Sequence, residues 1–246
     1  MKINLLLPCL LALAACNSPK QENQSQSEHM IEQPQTLKSV LDEKKSNFAS
    51  KADSTKKRIY AEGIESVVTS NIVQTALQIG DTAIDFSLIN AAGDTVSLYQ
   101  ELAIGPVILM WYRGGWCPYC NLTLRAMQDL LPDFKKKGAS LLALTPEAPD
   151  KSLSTKEKNE LEFEVLNDIN NNVAREYGVV FKLTEEVKAY YEKGFGLSDY
   201  NGNDNAELPL GATYIIGQDG VISYAFLDAD YRNRAEPSEI LETLTH

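Results

Sequence analysis

The stretch Pro106-Val107-Ile108-Leu109-Met110-Trp111-Tyr112-Arg113-Gly114-Gly115-Trp116-Cys117-Pro118-Tyr119-Cys120 decides the fold. Its first seven residues are an unbroken apolar run, the pattern of a strand covered on both faces. Residues 113–116 read as a turn. Pro118 suits a first helical position, where its missing N–H and fixed φ cost nothing. The helix continues to about Lys137, with Leu122, Met127, Leu130, Leu131 and Phe134 at inward spacing. Strand, turn and helix in this order put Cys117 at or near the helix N-cap and Cys120 in the first turn. Unpaired backbone amides and the positive end of the helix dipole favour a thiolate there.

Upstream, residues 84–88 and 95–98 flank Asn90-Ala91-Ala92-Gly93-Asp94 and read as a hairpin. Downstream, 139–144 repeats the buried-strand pattern, helical spacing returns at 151–160, 169–177 and 184–193, and a short strand is predicted at 163–166. Residues 213–216 and 221–226 flank the Gln218-Asp219-Gly220 turn, and Pro237 opens a last helix through 244. Residues 36–77 mix apolar and charged positions at helical spacing, predicting one or two helices with a break at Gly63. This order belongs to an α/β fold: a central mixed β-sheet flanked by helices over 78–246, with a helical extension over 36–77.

The chain has 246 residues, 43% hydrophobic and 23% charged, enough to build a core without staples. A net charge of −11 argues against a nucleic-acid partner, because neutralising phosphates needs a basic face. The two histidines are His29, in a polar stretch, and the terminal His246, which argues against histidine triads and Cys/His zinc sites. No cofactor or metal is expected. Residues 199–205 alternate oxygen-bearing side chains but lack the glycine and glutamate of a calcium loop at their required places, so a polar loop is expected.

Lys2 precedes an apolar run from Ile3 to Ala15, too short for the ~20 residues of a membrane span and patterned as an export signal. Leu13-Ala14-Ala15-Cys16 resembles a bacterial lipobox, which implies cleavage before Cys16 and a lipid on that cysteine; a plain secretory cut after Ala12-Leu13-Ala14 is the alternative. Residues 1–15 are then a signal peptide and 16–35 a polar, disordered tether. The expected location is extracytoplasmic, anchored by lipid to a bacterial membrane. Cys9 leaves with the signal and Cys16 takes the lipid, so Cys117 and Cys120 remain, at Cys-x-x-Cys spacing. In an oxidising compartment this is a loop clasp or a redox pair. So short a loop gains little chain entropy from a clasp, which favours the redox pair.

Residues 112–120 resemble the active-site segment of thioredoxin-fold proteins. More closely, they resemble the peroxiredoxin-like branch of the alkyl hydroperoxide reductase and thiol-specific antioxidant family. The similarity runs from about Gln78 to Leu244, through Gly80-Asp81, Phe86, Tyr177-Gly178-Val179, Ala212-Thr213-Tyr214-Ile215-Ile216 and Asp228-Ala229-Asp230-Tyr231. It implies a thioredoxin-like fold and a thiol peroxidase in which Cys117 and Cys120 cycle between dithiol and disulfide. The substrate would be a hydroperoxide, and the electrons would come from an external thiol reductant such as a thioredoxin-like donor. A second reading is a dithiol–disulfide oxidoreductase acting on protein disulfides. A third is a non-catalytic lipoprotein that uses the fold for binding.

The departures from the family bear on mechanism. Aligned on Cys120, the Pro-x-x-x-Thr-x-x-Cys pattern of peroxiredoxins has Arg113 for the proline and Cys117 for the threonine. Beside Thr213, the thioredoxin cis-proline position is Gly211, without the arginine that peroxiredoxins often carry nearby. Trp111 stands where thioredoxins keep a buried acid, so no carboxylate is expected there to shuttle the proton of the second thiol. Helix geometry makes Cys117 the more exposed thiol and the attacker. The peroxiredoxin register instead makes Cys120 the attacker and Cys117 the thiol that closes the disulfide. Arg113 and Arg125 are candidates to favour the thiolate, Trp116 a packing lid, and Thr213 a supporting residue.

Overall fold

The computed structural model describes Met1 and residues 35–244. The signal at 1–15, Cys16 and all of the tether except Gln35 lie outside the described residues. Two capped helices open the body: Thr36 accepts the Ser39 amide at the start of α1 (Leu37–Lys51), and Asp53 accepts the Lys56 amide at the start of α2 (Ser54–Thr69). The break in the extension therefore falls at Ala52 and Asp53, which have extended backbone, and not at Gly63. Gly63 lies inside α2 and lets Val187 approach the helix backbone. A short α3 (Ile72–Thr75) follows.

The hairpin of β1 (Ser87–Ile89) and β2 (Thr95–Ser97) forms as expected, but as a separate two-stranded sheet, and leads into α4 (Leu98–Leu102). The central unit is β3 (Val107–Trp111), α5 (Pro118–Lys136), β4 (Ser140–Thr145), α6 (Pro149–Lys158) and β5 (Glu164–Asn167). After β5 come a 3₁₀ turn (Ile169–Asn171), α7 (Asn172–Glu176), β6 (Val180–Lys182), α8 (Glu185–Phe195) and α9 (Leu197–Asn201). The chain ends with β7 (Glu207–Pro209), β8 (Thr213–Ile216), β9 (Ile222–Phe226) and α10 (Pro237–Thr243).

The five-stranded sheet runs β5-β4-β3-β8-β9, with β3, β4 and β5 mutually parallel and β8 and β9 antiparallel to their neighbours. Three features depart from the sequence reading. The predicted helix at 169–177 begins as a 3₁₀ turn because Asn170 and Asn171 take positive φ. Part of the expected polar loop at 199–205 is helical, in α9. The β6–β7 pair was not foreseen, since three-residue strands carry little periodicity.

β3 sits at the centre and is buried along its whole length. Its side chains alternate: Ile108 and Met110 join the apolar layer beneath α1, α5 and α10, while Val107, Leu109 and Trp111 join the opposite layer with Tyr177 and Tyr214. A smaller cluster of Ile59, Val187, Tyr191 and Leu197 seats α2 on α8 and receives Trp116 at its edge. The helical extension thus packs beside the turn that follows β3.

Candidate active site

The turn between β3 and α5 is shaped by its glycines. Gly114 has φ +148°, and a Cβ there would clash with the Trp116 ring; a Cβ on Gly115 would clash with the Thr155 side chain. Cys117 then caps α5 with extended backbone (φ −86°, ψ 113°), and Pro118 follows in the first helical turn. Cys117 and Cys120 fall where the sequence put them, at the N-terminus of a 19-residue helix.

Exposure differs from expectation. Cys117 is 1% exposed and Cys120 0%, so neither thiol is the outer one. The cover comes from elements that helix geometry alone does not include. Trp116 stacks on Phe195 at 4.5 Å and meets Tyr191 at 5.1 Å between ring centroids, while α1 packs on α5.

The two sulfurs are unlinked and hydrogen-bond to each other. Burial pushes the Cys117 thiol well up, and the adjacent Cys120 sulfur pushes it further. Burial opposes ionisation of Cys120 as well. There it is overcome by the hydrogen bond from Cys117, by the charges of Arg234 and Arg113, and by the Arg113 backbone amide, leaving Cys120 well below an ordinary thiol. The two thiols are thus pushed in opposite directions, and the one pushed down, Cys120, is the one that Arg234 contacts.

Arg113 is buried, 1% exposed. Its guanidinium lies 4.0 Å from the Tyr231 ring centroid, 4.9 Å from Trp116 and 5.4 Å from Tyr191, and donates to the Tyr191 hydroxyl at 2.7 Å. Such ring contacts contribute on the order of 1–2 kcal/mol each when desolvated but leave the positive charge unneutralised. Arg234, in the loop before α10, donates from Nη2 to Cys120 Sγ at 3.4 Å and is anchored through Nη1 on the Tyr231 and Asn233 carbonyls. Its guanidinium lies over Gly211, where a Cβ would stand 2.6 Å from Cζ. The glycine at the strand position that carries no arginine thus makes room for an arginine from another segment. Among the described residues, neither Arg113 nor Arg234 is paired with a carboxylate.

Arg125 is not brought to the sulfurs. It lies five residues after Cys120, roughly 140° around the helix, and is exposed, donating from Nε to Asn159 at 2.9 Å. Thr213 is buried in β8 opposite Met110 and Phe226. Trp116 packs as a lid, with its indole N–H buried and unpartnered.

Glu147 was missed by the sequence reading. It follows β4, is 0% exposed, and accepts from the Gly115 amide at 2.8 Å and the Thr155 hydroxyl at 3.2 Å. Burial raises its pKa, and the nearby Cys120 raises it further. The signal available was a lone carboxylate between two prolines, Pro146-Glu147-Ala148-Pro149, directly after a buried strand. Arg234 left a fainter trace, three residues past the Tyr231 of the family-like segment.

Residues 79–225 match the AhpC/TSA family model. The chain belongs to the AhpC/TSA family. Among relatives, it is 29% identical over 166 residues to peroxiredoxin Q of Oryza sativa subsp. japonica, covering 67% of this chain and 64% of that one. It is 27% identical over 152 residues to peroxiredoxin Bcp of Escherichia coli, covering 62% of this chain and 86% of that one. The chain therefore spans less than two thirds of the rice protein. Peroxidoxin BcpB from Mycobacterium tuberculosis superposes with a TM-score of 0.54 at 22% identity, over 68% of this chain and 96% of that one. The reduced 2-Cys peroxiredoxin of Plasmodium vivax superposes with a TM-score of 0.54 at 18% identity, over 68% and 80%. These superpositions establish the thioredoxin-like fold of the AhpC/TSA domain. The helices α1 and α2 precede the family match and are additions to it.

Proposed function

We propose that this AhpC/TSA protein is a thiol peroxidase in which the Cys120 thiolate attacks a hydroperoxide and Cys117 closes the disulfide. The observation that carries this reading is the contact of a buried, carboxylate-free arginine, Arg234, with the Cys120 sulfur, with a second such arginine, Arg113, in the same site. An unpaired guanidinium in a core is costly unless an anion compensates it, and the Cys120 sulfur is the group Arg234 faces. The attack forms an S–O bond, breaks the O–O bond and gives a sulfenic acid on Cys120 and an alkoxide or hydroxide, which takes up a proton to leave as alcohol or water. Cys117, already hydrogen-bonded to Cys120, then displaces the sulfenic hydroxyl, which leaves as water with the Cys117 proton. An external dithiol, as in peroxiredoxins generally, returns the two electrons.

The burial of both sulfurs favours a small peroxide over a protein disulfide, which would have to bring its own backbone against a covered thiol. Arg113 also lines a narrow crevice of ≈ 20 Å³, room for about one water, with Tyr60, Val67, Val187, Tyr191 and Tyr231. Stopped-flow mixing of reduced protein with hydrogen peroxide and with an alkyl hydroperoxide tests the reading. Rapid consumption that survives one turnover in Cys117→Ser and vanishes in Cys120→Ser is expected. Slow consumption together with rapid exchange against a reduced model protein would replace it with the oxidoreductase reading.

We also propose export and lipid attachment at Cys16, supported by the lipobox-like Leu13-Ala14-Ala15-Cys16 and the polar stretch after it. Metabolic labelling with a fatty acid, lost in Cys16→Ala, is the expected outcome; an unlabelled, soluble product would reject it.

A further inference from the structure

Peroxide reduction at Cys120 leaves a proton unaccounted for. The thiolate attacks RO–OH, sulfur gives up two electrons, and the departing RO⁻ must collect a proton to leave as ROH. Cys117 does not supply it, because its own proton leaves with the sulfenic hydroxyl as water when the disulfide closes. A guanidinium has no proton to spare in a protein.

The structure offers one buried carboxyl beside this chemistry. Glu147 is held by the amide of Gly115, two residues before Cys117, and by Thr155 of α6. The Tyr112 hydroxyl, at the end of β3, is also buried there. It faces Glu147 and Thr145, lies within the field of Cys120, and makes no well-formed hydrogen bond. The titratable groups facing Glu147 are thus Tyr112 from β3 and Cys120 from α5, whereas α6 presents the neutral Thr155 hydroxyl. No Lys, Arg or His among the described residues forms an ion pair with Glu147. A carboxyl buried beside a thiolate and without a cation is stabilised in its neutral form.

We propose that Glu147 is the redox-linked proton carrier of this site: protonated while Cys120 is a thiolate, and ionised once Cys120 is in the disulfide. The inference deepens the peroxidase reading and rests on it for the fate of the proton. On oxidation the thiolate charge disappears, the repulsion that opposed ionising the carboxyl is removed, and the proton passes to RO⁻. On reduction a dithiol R′(SH)₂ becomes R′S₂. One of its two protons goes to Cys117, the other returns to Glu147, and Cys120 is restored as S⁻. Negative charge stays constant throughout: it resides on sulfur in the reduced protein and on carboxylate in the oxidised one. Glu147 is bonded to the cysteine turn but not to a sulfur, so it acts as a positioning and proton-holding residue.

The test needs no peroxide. Infrared difference spectra of the full chain, oxidised minus dithiothreitol-reduced at neutral pH, should show a protonated-carboxyl band that is present in the reduced form and lost on oxidation. In Glu147→Gln, which keeps an acceptor for Gly115, this band should vanish. A pH-indicator count of protons released on reduction should rise from none per disulfide in the wild type to one in Glu147→Gln. A purely structural role would move neither readout. A wild-type spectrum with no redox-dependent carboxyl band, or release of one proton in both proteins, would overturn the inference. Because reduction is driven by dithiothreitol, failure to consume peroxide with the carboxyl band intact would reject the peroxidase reading and leave the proton coupling standing.

Discussion

Two neighbouring strand ends each carry a buried acid, and they use it differently. After β5, Asp168 is 1% exposed and fully committed: one oxygen accepts the Val173 amide at 2.9 Å and the other the Ala174 amide at 2.8 Å. It satisfies the first amides of α7, which have no partners inside their own helix. After β4, Glu147 is equally buried but accepts a single backbone amide and one hydroxyl, and it faces an unpartnered tyrosine and a polarised thiol pair. Burial raises the pKa of both acids. What separates a structural acid from a chemical one is therefore the hydrogen-bonding capacity left over, and the charge of whatever lies next to it.

If the β4 end is the chemical one, its largest dependence is on Cys120. Cys120→Ser should abolish peroxide consumption while circular dichroism stays native, and Cys117→Ser should retain a single turnover and accumulate sulfenate. Arg234→Gln comes next. Losing a guanidinium beside a thiolate raises the thiol pKa by about 1–2 units, so the pH profiles of alkylation and peroxide reaction should move up by that amount, with the rate loss largest below the shifted value. Gly211→Ala should reproduce part of that loss by displacing the same guanidinium, and equal rates in wild type and Gly211→Ala would argue against Arg234 as the activating group.

The β5 end should answer in stability alone. Asp168→Ala leaves two buried amides without partners and should cost about 2–3 kcal/mol in denaturant unfolding, with unchanged thiol reactivity. A reactivity change there would erase the contrast between the two ends. A pH series sharpens it. Because the folded pKa of Glu147 is raised, its contribution to stability is fully present below the ordinary carboxyl value of about 4.3 and is lost as pH rises through the folded value. Reduced wild type should therefore lose stability over that window relative to Glu147→Gln. The smallest effect belongs to Arg125→Ala, within about 0.5 kcal/mol and without change in rate, since the side chain is exposed and, among the described residues, bonded to Asn159 alone.

The fold was legible because its decisive signals are local. The apolar run into β3, the Gly-Gly turn and Pro118 specify strand, turn and helix within fifteen residues, and Cys117 sits at the N-cap as the spacing required. Arg113 was legible for the same reason. Arg234 and Glu147 were not, because tertiary packing brings them in. Arg234 reaches Cys120 across 114 positions, and Glu147 reaches Gly115 across 32. The burial of Cys117 was misjudged because α2 and α8 cover the turn, a packing that no pattern around the cysteines encodes. The break between α1 and α2 was written in the sequence, at the capping Asp53, and the glycine at position 63 was mistaken for it.

The central claim is that Cys120, and not Cys117, carries the negative charge, beside Arg234. Ultraviolet titration of thiolate absorbance in the reduced wild type, Cys117→Ser and Cys120→Ser tests it most directly. One thiolate ionising well below the ordinary value of about 8.5 is expected in the wild type, kept in Cys117→Ser and absent from Cys120→Ser. An early thiolate that survives in Cys120→Ser, or none below the ordinary value in any of the three, would contradict it.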